Sequence, residues 1–142
     1  MKKWYPVVIF TAILILTAGC AKDQNQIKIP KDAAKMAVEF SWEGIEACSH
    51  ASPKIRVSNV PEGTEELRVK LQDISLPAWN QGGGTVKHDG SGIIPAGALK
   101  VGYNGPCPPS GRHKYEFSVM AVNADDVIIG FGKARQSFPP KK

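Results

Sequence analysis

His50, His88 and His113, with Asp73, Ser52 and Tyr115, are the side chains here whose types suit chemistry near neutral pH. A histidine charged below neutral pH donates from both ring nitrogens and can hold an anion. An aspartate beside such a ring would orient it and favour its charged form. A phenolic hydroxyl from Tyr115 would add a hydrogen bond. Backbone N–H groups of glycine turns would complete a nest for a phosphate, sulfate or carboxylate. Ser52, His88 and Asp73 also spell a nucleophilic trio, but no Gly-x-Ser-x-Gly elbow is present. Three common residue types do not assemble a triad by identity alone. The spacings of His50, His88 and His113, taken with Asp73, match no zinc motif. We therefore expect no catalysis, no metal and no cofactor. Taken singly, each residue has a plainer role: a surface histidine, or an aspartate that forms a turn.

The frame for these residues is a chain of 142 residues, a length suited to one domain. Its 18 Lys+Arg stand against 13 Asp+Glu, a net charge of +5. That excess is too small and too scattered for a nucleic-acid footprint, and no nucleic-acid partner is expected. With 42% hydrophobic residues, 14 Gly and 11 Pro, the composition is that of a globular protein rather than a disordered or multi-span one.

Lys2 and Lys3 precede a charge-free stretch from Trp4 to Gly19, 16 residues, with Val7 to Leu16 apolar except for Thr11. A membrane span needs ~20 residues, so length and flanks suit an export signal better. The stretch ends Leu16-Thr17-Ala18-Gly19-Cys20, which resembles the lipobox of bacterial lipoproteins, with Thr17 where Leu is usual. That resemblance implies cleavage before Cys20, lipid on its thiol, and attachment to the cell envelope. Two or three acyl chains hold a membrane far better than one. Ala21 rather than Asp follows, which favours the outer membrane, facing the periplasm, in a Gram-negative cell. The plainer reading is an uncleaved anchor helix. Cleavage would remove Lys2 and Lys3 and lower the net charge by two. Residues 21–35 are polar and read as a tether.

With Cys20 lipidated, Cys48 and Cys107 form an even pair in an oxidising compartment. A bond between them would close a loop of about 60 residues, roughly 4 kcal/mol in the chain-entropy model. Two buried free thiols are the alternative.

Short strands must position these residues. Met36 to Trp42 alternates, although Lys31 to Val38 could also begin a helix. Ile55, Val57 and Val60 form an extended run ended by the Pro61-Glu62-Gly63-Thr64 turn. Leu67, Val69 and Leu71 alternate with Arg68, Lys70 and Gln72, the clearest half-buried strand. Lys114 to Val122 puts Tyr115, Phe117, Val119 and Ala121 on one face. Asp126 to Phe131 gives a last short strand. Gln81 to Gly84 and Asn104 to Gly111 read as loops, because Gly costs entropy and Pro lacks a donor. The pattern argues for an all-β sandwich.

Gly105-Pro106-Cys107-Pro108-Pro109-Ser110-Gly111-Arg112-His113-Lys114-Tyr115-Glu116-Phe117 resembles the GPxPPxGxHRYxF segment of the phosphatidylethanolamine-binding protein family, with Lys114 where Arg is usual. Cys48 to Ile55 is similar to that family's Ser-Pro segment, and Asn59 to Leu67 to its following turn. The likeness runs from about Ser41 to Val122. Asp73-Ile74-Ser75-Leu76-Pro77 stands where the family has DPDAP, with Ser75 for the second Asp. Counting back from Ile94-Pro95-Ala96 places His88 on the family's histidine, with Asp89 on the adjoining Trp.

The resemblance implies a shortened β-sandwich with a small anion pocket. Its ligand-site positions would be Asp73, His88, Gly105, Pro106, Pro109, Gly111, His113 and Tyr115. It implies a phosphate, carboxylate or phospholipid head-group ligand. A protein-interaction or inhibitor role in the envelope is the alternative, with an envelope protein as partner. The expected organisation is a signal at 1–19, a lipidated Cys20 and tether over 20–35, the β domain at 36–135 and a flexible tail at 136–142.

Overall fold

The computed structural model describes Met1 and residues 27–141. The expected signal segment and Cys20 lie outside the described residues. Eight strands follow one another: β1 Ala34–Lys35, β2 Ala37–Phe40, β3 Ile55–Ser58, β4 Thr64–Asp73, β5 Asn80–Lys87, β6 Ile93–Ile94, β7 His113–Asn123 and β8 Ile128–Phe138. No helix forms among the described residues. The opening segment from Lys31 to Val38 is not helical: Lys31 and Asp32 form a turn, and strand begins at Ala34.

The strands make two sheets, one five-stranded in the order β1-β8-β7-β4-β5 and one three-stranded in the order β2-β3-β6. The fold is an all-β sandwich. Alternation dictates the layering. On β4, Leu67, Val69 and Leu71 are buried while Arg68, Lys70 and Gln72 stand on the other face. The antiparallel register sets Val69 opposite Val119, Leu71 opposite Phe117 and Asp73 opposite Tyr115. The inward row meets Val38, Phe40, Ile55 and Val57 of the small sheet in one core.

Phe117 is the hub of that core. Phe40 meets it edge-on with ring centroids 4.8 Å apart, Trp42 lies 5.6 Å away, and Tyr103 stacks at 6.3 Å. Edge-on and stacked arrangements suit the ring quadrupoles.

Two segments differ from the sequence expectation. Gln81 to Gly84, read as a loop, is the first half of β5, paired with β4 from Glu66–Lys87 through Lys70–Gly83. Its glycines answer a steric demand: a Cβ on Gly82 would lie 1.6 Å from the Gly102 carbonyl oxygen. The last strand is also longer than expected and runs through Phe138, which packs buried against Trp42. Gln136 and Ser137 thus belong to the sheet and not to a flexible tail; Gln136 Nε2 donates to the Phe40 carbonyl. The inward positions Gly130, Gly132 and Ala134 are small; a Cβ on Gly132 would meet the Met36 carbonyl at 2.5 Å. That is why the strand carries no apolar alternation.

Cys48 and Cys107 are joined by a disulfide across 59 positions, which ties the 41–54 loop to the 104–111 loop.

Truncating Phe117 to Ala should cost about 3–5 kcal/mol of unfolding free energy, the usual loss for a fully buried aromatic. Urea denaturation checks this; a loss under about 1 kcal/mol would contradict the hub assignment.

Candidate functional site

Asp73 ends β4 and is 1% exposed. A carboxylate so buried needs donors. Its Oδ1 accepts from the Ser75 amide at 2.8 Å and the Leu76 amide at 3.0 Å. Its Oδ2 lies 2.8 Å from His113 Nδ1. Burial by itself would raise the Asp73 pKa, but hydrogen bonds from His113, Leu76 and Ser75 outweigh it and hold the group below the ordinary carboxylate range. The carboxylate is therefore ionised at neutral pH, and Nδ1 carries the proton and donates. His113 Nε2 is left to accept when the ring is neutral and to donate when it is charged.

The turn after Asp73 is sewn to the start of β7. The Ile74 amide donates to the Lys114 carbonyl at 2.8 Å, and the Lys114 amide donates to Ser75 Oγ at 3.0 Å. Ser75, the departure from the family's second Asp, thus has a partner of its own in the turn.

Tyr115 stacks beside His113, with ring centroids 6.4 Å apart. Burial pushes its phenol up, and the Asp73 carboxylate adds to that; the Cys107 backbone amide opposes it. The hydroxyl lies among these groups, yet it has no partner at hydrogen-bonding geometry. Two more buried donors are in the same condition, Trp42 Nε1 and the Tyr103 hydroxyl. Burial likewise pushes the Tyr103 phenol up. Trp42 lies 6.1 Å from Tyr115 between ring centroids, and Tyr103 joins through Phe117. Three unpartnered donors in one aromatic cluster are uncommon in a folded core.

The loop of the sequence motif closes over this end. The Cys48 amide donates to the Pro106 carbonyl at 2.8 Å, and the Gly105 amide to the Ser49 carbonyl at 2.9 Å. Gly105 is there for close approach, since a Cβ would meet the Ser49 oxygen at 2.3 Å. Its N–H is thus occupied and does not contribute to an anion nest. Pro106 is buried; Pro109 and Gly111 are exposed.

The structure does not bring His88 to this site. That residue follows β5, and its amide donates to the Glu65 carbonyl at the opposite end of β4 from Asp73. Eight residues of strand separate Glu65 from Asp73, on the order of 26 Å. Counting back without a gap from Ile94 carried the assignment down the whole length of β5. The strand start that follows the Asp73 turn is instead Asn80-Gln81, preceded by Trp79. Gln81 is 4% exposed. With its amide nitrogen toward the loop, it donates to the carbonyls of Asn104 at 2.8 Å and Gly105 at 3.0 Å. The Asn104 amide donates back to the Gln81 carbonyl at 2.9 Å. Gln81 therefore fixes the motif loop, a role the sequence reading missed; Trp79 ahead of a strand was the available signal.

The same separation dismantles the trio of Ser52, His88 and Asp73. Ser52 is fully buried, and its Oγ accepts from the Leu99 amide at 3.4 Å. His50 is exposed on the 41–54 loop. No group of three His, Cys, Asp or Glu side chains suited to a metal forms among the described residues.

The fold and this strand-end site define a class, the β-sandwich with a buried Asp–His pair under a Gly-Pro loop. The family model for phosphatidylethanolamine-binding protein matches residues 22–139, and the chain belongs to that family. The UPF0098 protein of Archaeoglobus fulgidus is 67% identical over 148 aligned residues, which cover 82% of this chain and 48% of that relative. The chain thus spans about half of that relative's length. The UPF0098 protein YbcL of Escherichia coli is 26% identical over 87% of this chain and 79% of its own length. Among solved structures, a putative phosphatidylethanolamine-binding protein homolog from Chlamydia trachomatis superposes with a TM-score of 0.56 at 16% identity, over 78% of this chain and 99% of that one. The Escherichia coli YbcL structure gives 0.51 at 19% identity, over 65% and 82%.

Two outcomes follow from the geometry. The folded pKa of Asp73 lies below its free value of 3.8, so its ionised form stabilises the fold above that value and the benefit is lost as pH falls through the folded pKa. The stability advantage of wild type over Asp73→Asn should be largest near neutral pH and shrink as pH falls below the free value in denaturant titrations; a constant difference would contradict the pairing. Tyr115→Phe should leave stability unchanged or raise it by about 1 kcal/mol, because it removes a buried hydroxyl without a partner. A loss above about 1 kcal/mol in the same assay would show that the hydroxyl is bonded in the folded state.

Proposed function

We propose that the chain is a lipid-anchored binding protein that holds a small anionic group, a phosphate or carboxylate head group, at the His113 end of the sandwich. The observation that carries the reading is the set of buried donors without partners, Tyr115 first, beside a histidine that is 14% exposed at its side chain. All are donors, so the complementary ligand is rich in acceptors. The negative charge of Asp73 does not oppose this, because two backbone amides and His113 already compensate it. When the ring is charged, Nε2 is a charge-assisted donor. Membership of a family described as phosphatidylethanolamine-binding supports the same class of ligand. Attachment to the cell envelope through lipid on Cys20 rests on the Leu16-Thr17-Ala18-Gly19-Cys20 pattern. The reading includes no catalytic step and no cofactor.

Calorimetric titration with phosphorylethanolamine and with inorganic phosphate tests the site at about pH 5.5 and about pH 7.5. His113→Ala should weaken binding about tenfold or more, the worth of a charge-assisted hydrogen bond. Absence of binding at both pH values removes the proposal. Binding that His113→Ala leaves unchanged removes that residue from it.

A further inference from the structure

The outer face of the five-stranded sheet is a surface that the site does not use. Register fixes what it carries. Arg68 stands opposite Met120, and Lys70 opposite Ser118. Across β7, Phe131, Lys133 and Arg135 of β8 stand opposite Met120, Ser118 and Glu116. Lys87 stands beside Glu66 at one edge, and Lys35 beside Phe131 at the other. Basic side chains therefore outnumber the acidic ones, Glu66 and Glu116, on this face. Glu66 and Asp126 pair with Arg68, and Glu116 pairs with Arg135 and, at 3.7 Å, with Lys133. Lys35, Lys70 and Lys87 make no ion pair among the described residues. The mild positive charge of the chain is thus collected largely on one plane rather than spread.

Across this face runs an open groove of about 930 Å³. Its apolar lining includes Trp79, Met120, Phe131, Ile27 and Ile29. Trp79 is 47% exposed and Ile27 50%. Met120 itself is buried at 3% exposure, so the open apolar surface of the groove is that of Trp79 and Ile27. Ile27 is also where the described chain resumes after residues 2–26, so the segment that bears Val7 to Leu16 and Cys20 joins the domain at the groove.

We infer that this sheet face docks flat on an anionic lipid surface. Chemistry and position both select that occupant. A tryptophan with flanking lysines is the side-chain set of a membrane interface: the indole sits at head-group level and the ammonium groups meet lipid phosphates. Chain attachment at Ile27 brings this face, and not the small sheet, nearest to whatever holds the preceding segment. A second copy is a poor occupant, because an isologous contact would set one basic row against another. The inference rests on the membrane attachment proposed above. It uses a different surface from the ligand site, since Asp73 and Tyr115 point to the opposite side of the same sheet.

Amine labelling read by mass spectrometry tests it on the full chain. The chain is mixed with vesicles of phosphatidylcholine alone, with vesicles that also contain phosphatidylglycerol, and with neither. Labelling of Lys70, Lys87 and Lys133 should fall about fivefold on the anionic vesicles relative to the neutral ones, the effect of about one surface-bound lysine, and recover at high salt. Lys54, exposed beside the small sheet, should label equally in every case. The double variant Lys70→Glu with Lys133→Glu should abolish the protection of Lys87. Neither position is buried in the core, so the fold should survive, which circular dichroism checks. Equal labelling on both vesicles, with the chain still floating with them, overturns the docking and leaves the attachment standing. Failure to float with either vesicle overturns both. Protection of the same lysines without vesicles, with a dimer mass, assigns the face to a second copy and overturns the lipid assignment.

Discussion

A carboxylate taken out of water at the end of a core strand must be met by donors or lose its charge, and much of this structure serves that need at Asp73. The β4–β7 register delivers Asp73 opposite Tyr115 on the core side. The turn that follows folds its Ser75 and Leu76 amides back onto Oδ1. His113, at the first position of β7, supplies the proton for Oδ2. One buried charge therefore fixes a turn, a strand start and the orientation of the imidazole. The Ser75 and Lys114 bonds then lock the same corner from the backbone side.

The loops above the corner are held by different means. The Cys48–Cys107 disulfide joins segments far apart in the chain, and a loop of that length limits the unfolded ensemble by roughly 4 kcal/mol. Gln81 reaches from β5 to two carbonyls of the 104–105 turn. Gly105 lets the two loops approach within backbone contact. These restraints enclose Tyr115, Trp42 and Tyr103 so closely that their donors find no partner, and the phenols shift upward as burial disfavours the phenolates. The orphaned donors and the satisfied carboxylate are two consequences of one enclosure.

The two faces of the large sheet divide the work. Its inner face is apolar and ends in the Asp73 corner. Its outer face holds ion pairs, unpaired lysines and a groove with Trp79 at its rim. Strand alternation separates these surfaces completely: a residue at one position serves the site, and its neighbour serves the outer plane.

How much of this could be read before folding depends on whether the information is local. The half-buried alternation of β4 and β7, the turn at Pro61 to Thr64 and the motif from Gly105 to Phe117 lie in contiguous residues, so the sequence by itself determined an all-β sandwich, its family and the candidacy of Asp73, His113 and Tyr115. The even pair Cys48 and Cys107 was legible as a possible bond, though only the fold places the two side by side. What local pattern could not show was set by contacts between distant segments. β5 looked like a loop because Gly82 and Gly83 are demanded by the Gly102 and Val69 carbonyls, and β8 shows no apolar alternation because Gly132 must be small beside Met36 and Val38. His88 was counted into the site because spacing along a chain says nothing about which end of a strand a residue reaches. Gln81, Trp42 and Tyr103 gained their roles only when three loops met, and the basic plane existed only once register gathered basic side chains from four strands.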